Sequence, residues 1–285
     1  MNVFPRWTWI VIGIASVLTI LAVANFVVLS RSQAILAARY PGSPSTVHAV
    51  ASPDALTRGA HLTLVASCSA CHGKVLSGRG GLLSSTDIPA PNLTIVSKTL
   101  SDAAMDRAIR QGLRPDGRSE LGMPSPAYVS FTDDEVAAII VYLRTLKPEG
   151  VDLPRPPAGL RLRANLAIGA VKPEVLKVAQ AKQSVEAALS FQPGRHLAMV
   201  ACGQCHGTDL RGGRGLPGPD LTLRGYYDRA QFHTLMRTGV GISEDMELMS
   251  QTARASFSHF TEAEVDAIYD YLIARDQAIS AKPRP

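Results

Sequence analysis

The chain has 285 residues, 46% of them hydrophobic and 19% charged, with a formal net charge of +5. That length suits two globular modules plus attachments rather than one large domain. The positive charge is spread along the chain and forms no basic stripe, which excludes a nucleic-acid-binding protein.

Trp7 to Leu29 form a run without a charged side chain. At about 1.5 Å per residue it spans roughly 34 Å, enough for a bilayer core. Trp7 and Trp9 sit at one end, where indole rings favour the headgroup level. A cleaved signal peptide is the rival reading, with Arg6 as its basic start and Ala22 to Ala24 as a small-residue cleavage site. The run continues past that site to Leu29, so a retained anchor over residues 1–30 is expected. Charge does not orient it, because Arg6 precedes the span and Arg31 and Arg39 follow. Residues 31–50 read as a tether.

The rest of the chain is an internal duplication. "RGAHLTLVAS" leads into "CSACHG" (68–73), and "PGRHLAMVA" leads into "CGQCHG" (202–207). A Gly-rich loop follows each, "SGRGG" and "RGGRGLPG". Next "APNLT" (90–94) matches "GPDLT" (218–222), and "AIRQG" (108–112) matches "LMRTG" (235–239). Each copy closes on a helix with a capping box, Thr132 with Glu135 and Thr261 with Glu264. Val136, Ile139, Ile140 and Leu143 make one apolar stripe; Val265, Ile268, Tyr269 and Leu272 make the other. Two all-α modules are therefore expected, over 51–147 and 190–285. Between them, 148–189 reads as a linker, extended at its four prolines (Pro148, Pro154, Pro156, Pro157) and helical over 172–190.

All four cysteines of the chain lie in the two Cys-x-x-Cys-His motifs. A redox dithiol belongs beside a βαβ unit, and strand signals are missing. A zinc ribbon needs its pairs roughly 15–20 residues apart, far less than the distance from Cys68 to Cys202. A structural disulfide does not account for the repeated histidine. Covalent attachment of c-type haem does: two thiols about one helical turn apart add to the vinyl groups, and the adjacent imidazole is held beneath the iron. This assigns Cys68, Cys71 and His72 to one haem, and Cys202, Cys205 and His206 to a second.

With these motifs in place, each half resembles a class I cytochrome c domain, and the pair resembles the diheme c-type cytochromes of bacterial respiratory chains. The resemblance covers roughly 51–147 and 190–275. It implies that Pro91 and Pro219 give their carbonyls to the two histidines, orienting the rings. It also implies a methionine as sixth ligand from a later loop. Met123, followed by Pro124, fits that pattern in the first copy. The second copy lacks a Met-Pro pair; Met249 aligns best, with Met246 three residues earlier as its competitor. His48, His61, His196, His233 and His259 read as surface or packing residues, with His233 and His259 as reserve ligands.

Two Met/His-ligated haems leave no open coordination position, which favours electron transfer over substrate chemistry. The expectation is an electron carrier rather than an enzyme: a membrane-anchored diheme cytochrome c with its haem domains in the periplasm, on the side where haem is attached. It would relay electrons from a quinol-oxidising complex or periplasmic dehydrogenase to a terminal oxidase or soluble carrier. The alternative is a peroxidase-like diheme enzyme with a weak or open sixth position at the second haem. The dehydrogenase cytochrome subunits that this chain resembles carry three haems; this chain has motifs for two.

Overall fold

The computed structural model describes residues 5–78, 89–152, 154–186, 193–212, 218–223, 225–243 and 246–280. Parts of both Gly-rich loops, residues 79–81 and 213–217, lie outside these, as do residues 187–190 of the expected linker helix. Among the described residues the fold is helical, with isolated bridges but no strand.

Helix α1 (Arg6–Ala37) carries the apolar run and is the one described helix long and apolar enough to cross a membrane. It does not stop at Leu29 but continues through Arg31 to Ala37. The next residues are strapped onto the first module. Tyr40 N–H donates to the Gly117 carbonyl at 2.8 Å, Ser43 N–H to Gln111 Oε1 at 2.8 Å, and Ala49 N–H to Asp102 Oδ2 at 2.7 Å. Val47 is buried in that module's core.

The first module runs through α2 (Pro53–Val65), the short α3 (Ser69–His72), α4 (Leu93–Thr99), α5 (Asp102–Asp106) and α6 (Asp133–Thr145). Ser52 caps α2 and the expected Thr132–Glu135 box caps α6. Helices α2 and α6 cross at Gly59, where a Cβ would lie 1.9 Å from the Ala138 carbonyl oxygen. The linker then wraps back instead of extending freely. Helix α7 (Leu160–Ala167) buries Leu162 and Leu166 against Ile35, Leu36 and Leu121. Helix α8 (Glu174–Glu186) packs on the first module, where Gly122 N–H donates to Glu174 Oε1 at 3.2 Å. The apolar positions that drive this packing are few per helix, so they read as linker in the sequence.

The second module repeats the plan with α9 (Pro193–His206), α10 (Arg229–Thr238), α11 (Glu247–Ala255) and α12 (Glu262–Ser280). Gly194 is the twin of Gly59, its absent Cβ falling 1.8 Å from the Ala267 carbonyl oxygen. The matched "AIRQG" and "LMRTG" segments share one job. Arg110 donates to the Phe131 carbonyl and Arg237 to the Ser258 carbonyl, each at 3.0 Å, pinning the chain just before the closing helix. Gly112 and Gly239 follow in the left-handed region (φ 64° and 73°), which a glycine enters at no steric cost.

The modules meet in a reciprocal interface. Val65 of the first is fully buried in the second module's core, and Val200 of the second is buried in the first module's core. His61 Nε2 lies 2.8 Å from Glu264 and His196 Nε2 lies 3.1 Å from Glu135, so each histidine reaches the capping box of the opposite module. Each ring also stands edge-on to the aromatic residue before that box, His61 to Phe260 and His196 to Phe131.

Candidate haem-binding sites

The first site is built at the end of α2. That helix breaks at Ser67, held at φ 55°, and a second short helix carries Cys68 to His72. In the second module α9 runs unbroken through Cys202 and Cys205 to His206. The difference follows from one extra residue between glycine and cysteine in the first copy (Gly59 to Cys68, Gly194 to Cys202).

Beyond the histidines the two chains run alike. Gly73 and Gly207 turn the backbone at φ 83° and 79°. Gly78 N–H then donates to the His72 carbonyl at 2.9 Å, and Gly212 N–H to the His206 carbonyl at 2.8 Å. Leu93 N–H to Leu76 O, and Leu221 N–H to Leu210 O, bring the "PNL" and "PDL" segments back beside the motif.

That return places the Pro91 carbonyl 2.9 Å from His72 Nδ1 and the Pro219 carbonyl 2.7 Å from His206 Nδ1. A carbonyl can only accept, so Nδ1 carries the proton and Nε2 presents its lone pair. Both rings are buried, and burial pushes both imidazoles below their ordinary range, which keeps them neutral. Gly218 lies flat on His206; a Cβ there would come 2.5 Å from Nδ1.

The cysteines sit in apolar surroundings. Burial pushes the Cys68 and Cys202 thiols up to about 12, and raises Cys71 and Cys205 as well. Among the described residues no three His, Cys, Asp or Glu side chains converge to hold a bare metal ion. Protonated thiols in an apolar wall, one turn before a neutral imidazole with a directed Nε2, fit covalently bound haem better than a zinc or thiolate site.

Met123 packs in the apolar cluster that contains Cys68, and Met249 packs in the one that contains Cys202. Met249 lies not in a loop but in the first turn of α11. Met246, just before that helix, belongs to neither cluster; Tyr227 donates its hydroxyl to Met246 Sδ at 3.2 Å. His233 has both ring nitrogens against carboxylates, Glu262 at 2.8 Å and Asp266 at 2.9 Å, which explains it without iron. His48 and His259 are exposed. The interfacial roles of His61 and His196 are not evident from composition, although their identical place in the two copies was a visible signal.

The two sites approach each other across the interface. Gln204, inside the second Cys-x-x-Cys, donates to the Ala66 carbonyl at 2.9 Å, just ahead of Cys68. Tyr128 donates to the same carbonyl at 2.8 Å. The Cys71 thiol is raised further by the nearby Cys205 thiol.

A family model described as "Cytochrome C oxidase, cbb3-type, subunit III" matches residues 54–143 and 190–272, one copy on each module. The chain belongs to this cytochrome c family. It is also similar to the fructose dehydrogenase cytochrome subunit of Gluconobacter japonicus, with 26% identity over 275 aligned positions. That alignment covers 81% of this chain and 54% of the relative, so the chain spans about half the relative's length. Membership establishes a c-type cytochrome that binds haem c covalently and transfers electrons.

Proposed function

We propose that the chain is a membrane-anchored diheme cytochrome c that relays electrons between redox proteins at a membrane surface. Its first haem would be held by Cys68, Cys71, His72 and Met123, its second by Cys202, Cys205, His206 and Met249. The observation that carries this reading is the packing of the two attachment motifs against one interface, with Gln204 bonded to Ala66. Two cofactors fixed there would lie close enough to exchange electrons within one rigid body.

When bound, a haem with His and Met ligands supplies a one-electron couple whose potential methionine raises. The chain's own residues do the rest. Pro91 and Pro219 hold the imidazole rings, and the two apolar clusters exclude water. The reciprocal interface fixes one module against the other.

The placement of Met249 in the apolar cluster with Cys202 supports it over Met246 as sixth ligand. Helix α1 would be retained as a single-pass anchor in a bacterial inner membrane, with both modules in the periplasm. Electrons would enter from a quinol-oxidising complex or a dehydrogenase and leave to a terminal oxidase or soluble carrier. The family's name and the relative's name, one an oxidase subunit and the other a dehydrogenase subunit, support such a position in a larger assembly.

A redox titration of the purified chain, following the Met–iron charge-transfer band, tests this. Two one-electron transitions, each with that band in the oxidised state, are expected. One such transition together with a high-spin haem would instead favour a peroxidase-like enzyme.

A further inference from the structure

We infer that α7 and the end of α1 form an anionic-lipid-binding surface that seats the first module on the bilayer. The inference rests on the anchor reading of α1 and adds a second membrane contact to it. Helix α7 is fixed to α1 just past the apolar span. Arg163 Nη1 donates to Ser32 Oγ at 3.2 Å, and Leu162 and Leu166 pack with Ile35 and Leu36. Ser32 lies three residues beyond Leu29, about 5 Å further along the helix axis. With the span in the hydrocarbon core, α7 is therefore carried at the depth of the lipid headgroups.

The composition of this corner fits that depth. Residues 30–50 and 154–173 contain no Asp or Glu, while Arg31, Arg161 and Lys172 are exposed and form no ion pair among the described residues. Leu160 and Ala164 on α7 and Ile168 at its C-cap follow at i, i+4 and i+8, making a stripe on the face away from buried Leu162 and Leu166. Ile168 is 75% exposed, the most exposed large apolar side chain of the described residues, and Leu160 is 66% exposed. Water is a poor partner for that stripe. A helix with apolar residues on one side and unpaired cations beside them matches the boundary between acyl chains and phosphate groups. The continuity of this corner with α1 selects a bilayer, rather than a soluble protein, as the occupant.

The test uses the full-length, haem-loaded chain in lipid nanodiscs, with single cysteines introduced by Leu160→Cys, Ile168→Cys and, as reference, the exposed Ile279→Cys. A neutral polyethylene-glycol maleimide reads accessibility, since the native thiols are consumed by haem. In discs with about one-third phosphatidylglycerol, positions 160 and 168 should label at least tenfold slower than 279. In phosphatidylcholine discs this protection should fall at least threefold, and Arg161→Glu with Lys172→Glu should produce the same fall in the anionic discs. Equal labelling at all three positions in both lipids, with the chain still in the disc, overturns the surface and leaves the anchor standing. A mature chain that lacks α1, or does not enter discs, overturns both. Protection in phosphatidylcholine discs by added glycerol phosphate, matching that of the anionic lipid, would identify a soluble-anion site and also overturn the proposal.

Discussion

His196 of the second module lies 3.1 Å from the Glu135 carboxylate of the first, and both side chains are 9% exposed. The duplication returns the contact in mirror sense, with His61 at 2.8 Å from Glu264. Burial alone would raise the Glu135 carboxyl. The hydrogen bonds from His196 and from the Thr132 backbone, with the charges of His196 and Arg58, outweigh burial and hold it at about 2. Its folded value is thus depressed below the carboxyl's ordinary 4.5, so its stabilisation is present above pH 4.5 and is lost as pH falls toward 2. A shift of this size corresponds to on the order of 3 kcal/mol. Glu135→Gln keeps a capping side chain but removes the charge. We expect its urea midpoint to fall below the wild type at pH 6 and to converge with it near pH 2–3. A constant gap across that range would assign the loss to the cap rather than to the ion pair.

Much of this fold was legible because the chain states it twice. The Cys-x-x-Cys-His motifs, the capping boxes and the "PNL" and "PDL" segments each recur, and the structure gives each pair matching hydrogen bonds. What duplication did not disclose is contact between unlike parts. Thr132–Glu135 and Thr261–Glu264 were visible as helix caps, but their second role needs a histidine from the other module, 61 and 203 residues away. The same holds for the linker: Glu174 falls in the stretch expected to be a linker helix, yet it is 3% exposed beneath Gly122 and Lys177. Local pattern reports which side of a helix is apolar, and long-range partners must be found in space.

The sixth ligands offer a sharp test, because Met123 and Met249 each pack in the cysteine-bearing cluster of their module while Met246 does not. Met123→Ala and Met249→Ala should each abolish the Met–iron band of one haem and lower one of the two potentials, leaving the other haem unchanged. Met246→Ala should leave both bands in place, since its sulfur is engaged by Tyr227 and lies outside the cluster. Loss of the second band in Met246→Ala, with Met249→Ala silent, would exchange the two assignments.

Gly218 separates the two sites chemically. Its missing Cβ would lie 2.5 Å from His206 Nδ1 and 2.6 Å from Cε1, so Gly218→Ala has to push the ring or the Pro219 carbonyl that orients it. The first module carries Ala90 at the corresponding place, so Ala90→Gly relieves nothing and should be silent. Potentiometry of the two variants is expected to show a shift confined to one haem in Gly218→Ala and none in Ala90→Gly. Equal behaviour of both variants would mean that the ring is not held against this backbone.

Gly59 and Gly194 make the last comparison, and it concerns the frame that brings the motifs to their places. In each module the first helix crosses the closing helix at this glycine, with the opposing carbonyl oxygen 1.9 or 1.8 Å from where a Cβ would be. Substitution by alanine improves helix propensity by about 1 kcal/mol. Against that stands a clash with backbone, which cannot rotate away as a side chain could, at a cost of about 3 kcal/mol or more. The clash wins, so Gly59→Ala and Gly194→Ala should each destabilise by about 2 kcal/mol or more and reduce haem incorporation in their own module first. Gly13→Ala in α1, with nothing within 4 Å of the added methyl group, is the clash-free control and should not destabilise. Chemical denaturation followed at the haem bands measures all three. If the two crossings tolerate alanine as readily as position 13 does, the close approach of α2 to α6 and of α9 to α12 is not what sets these modules.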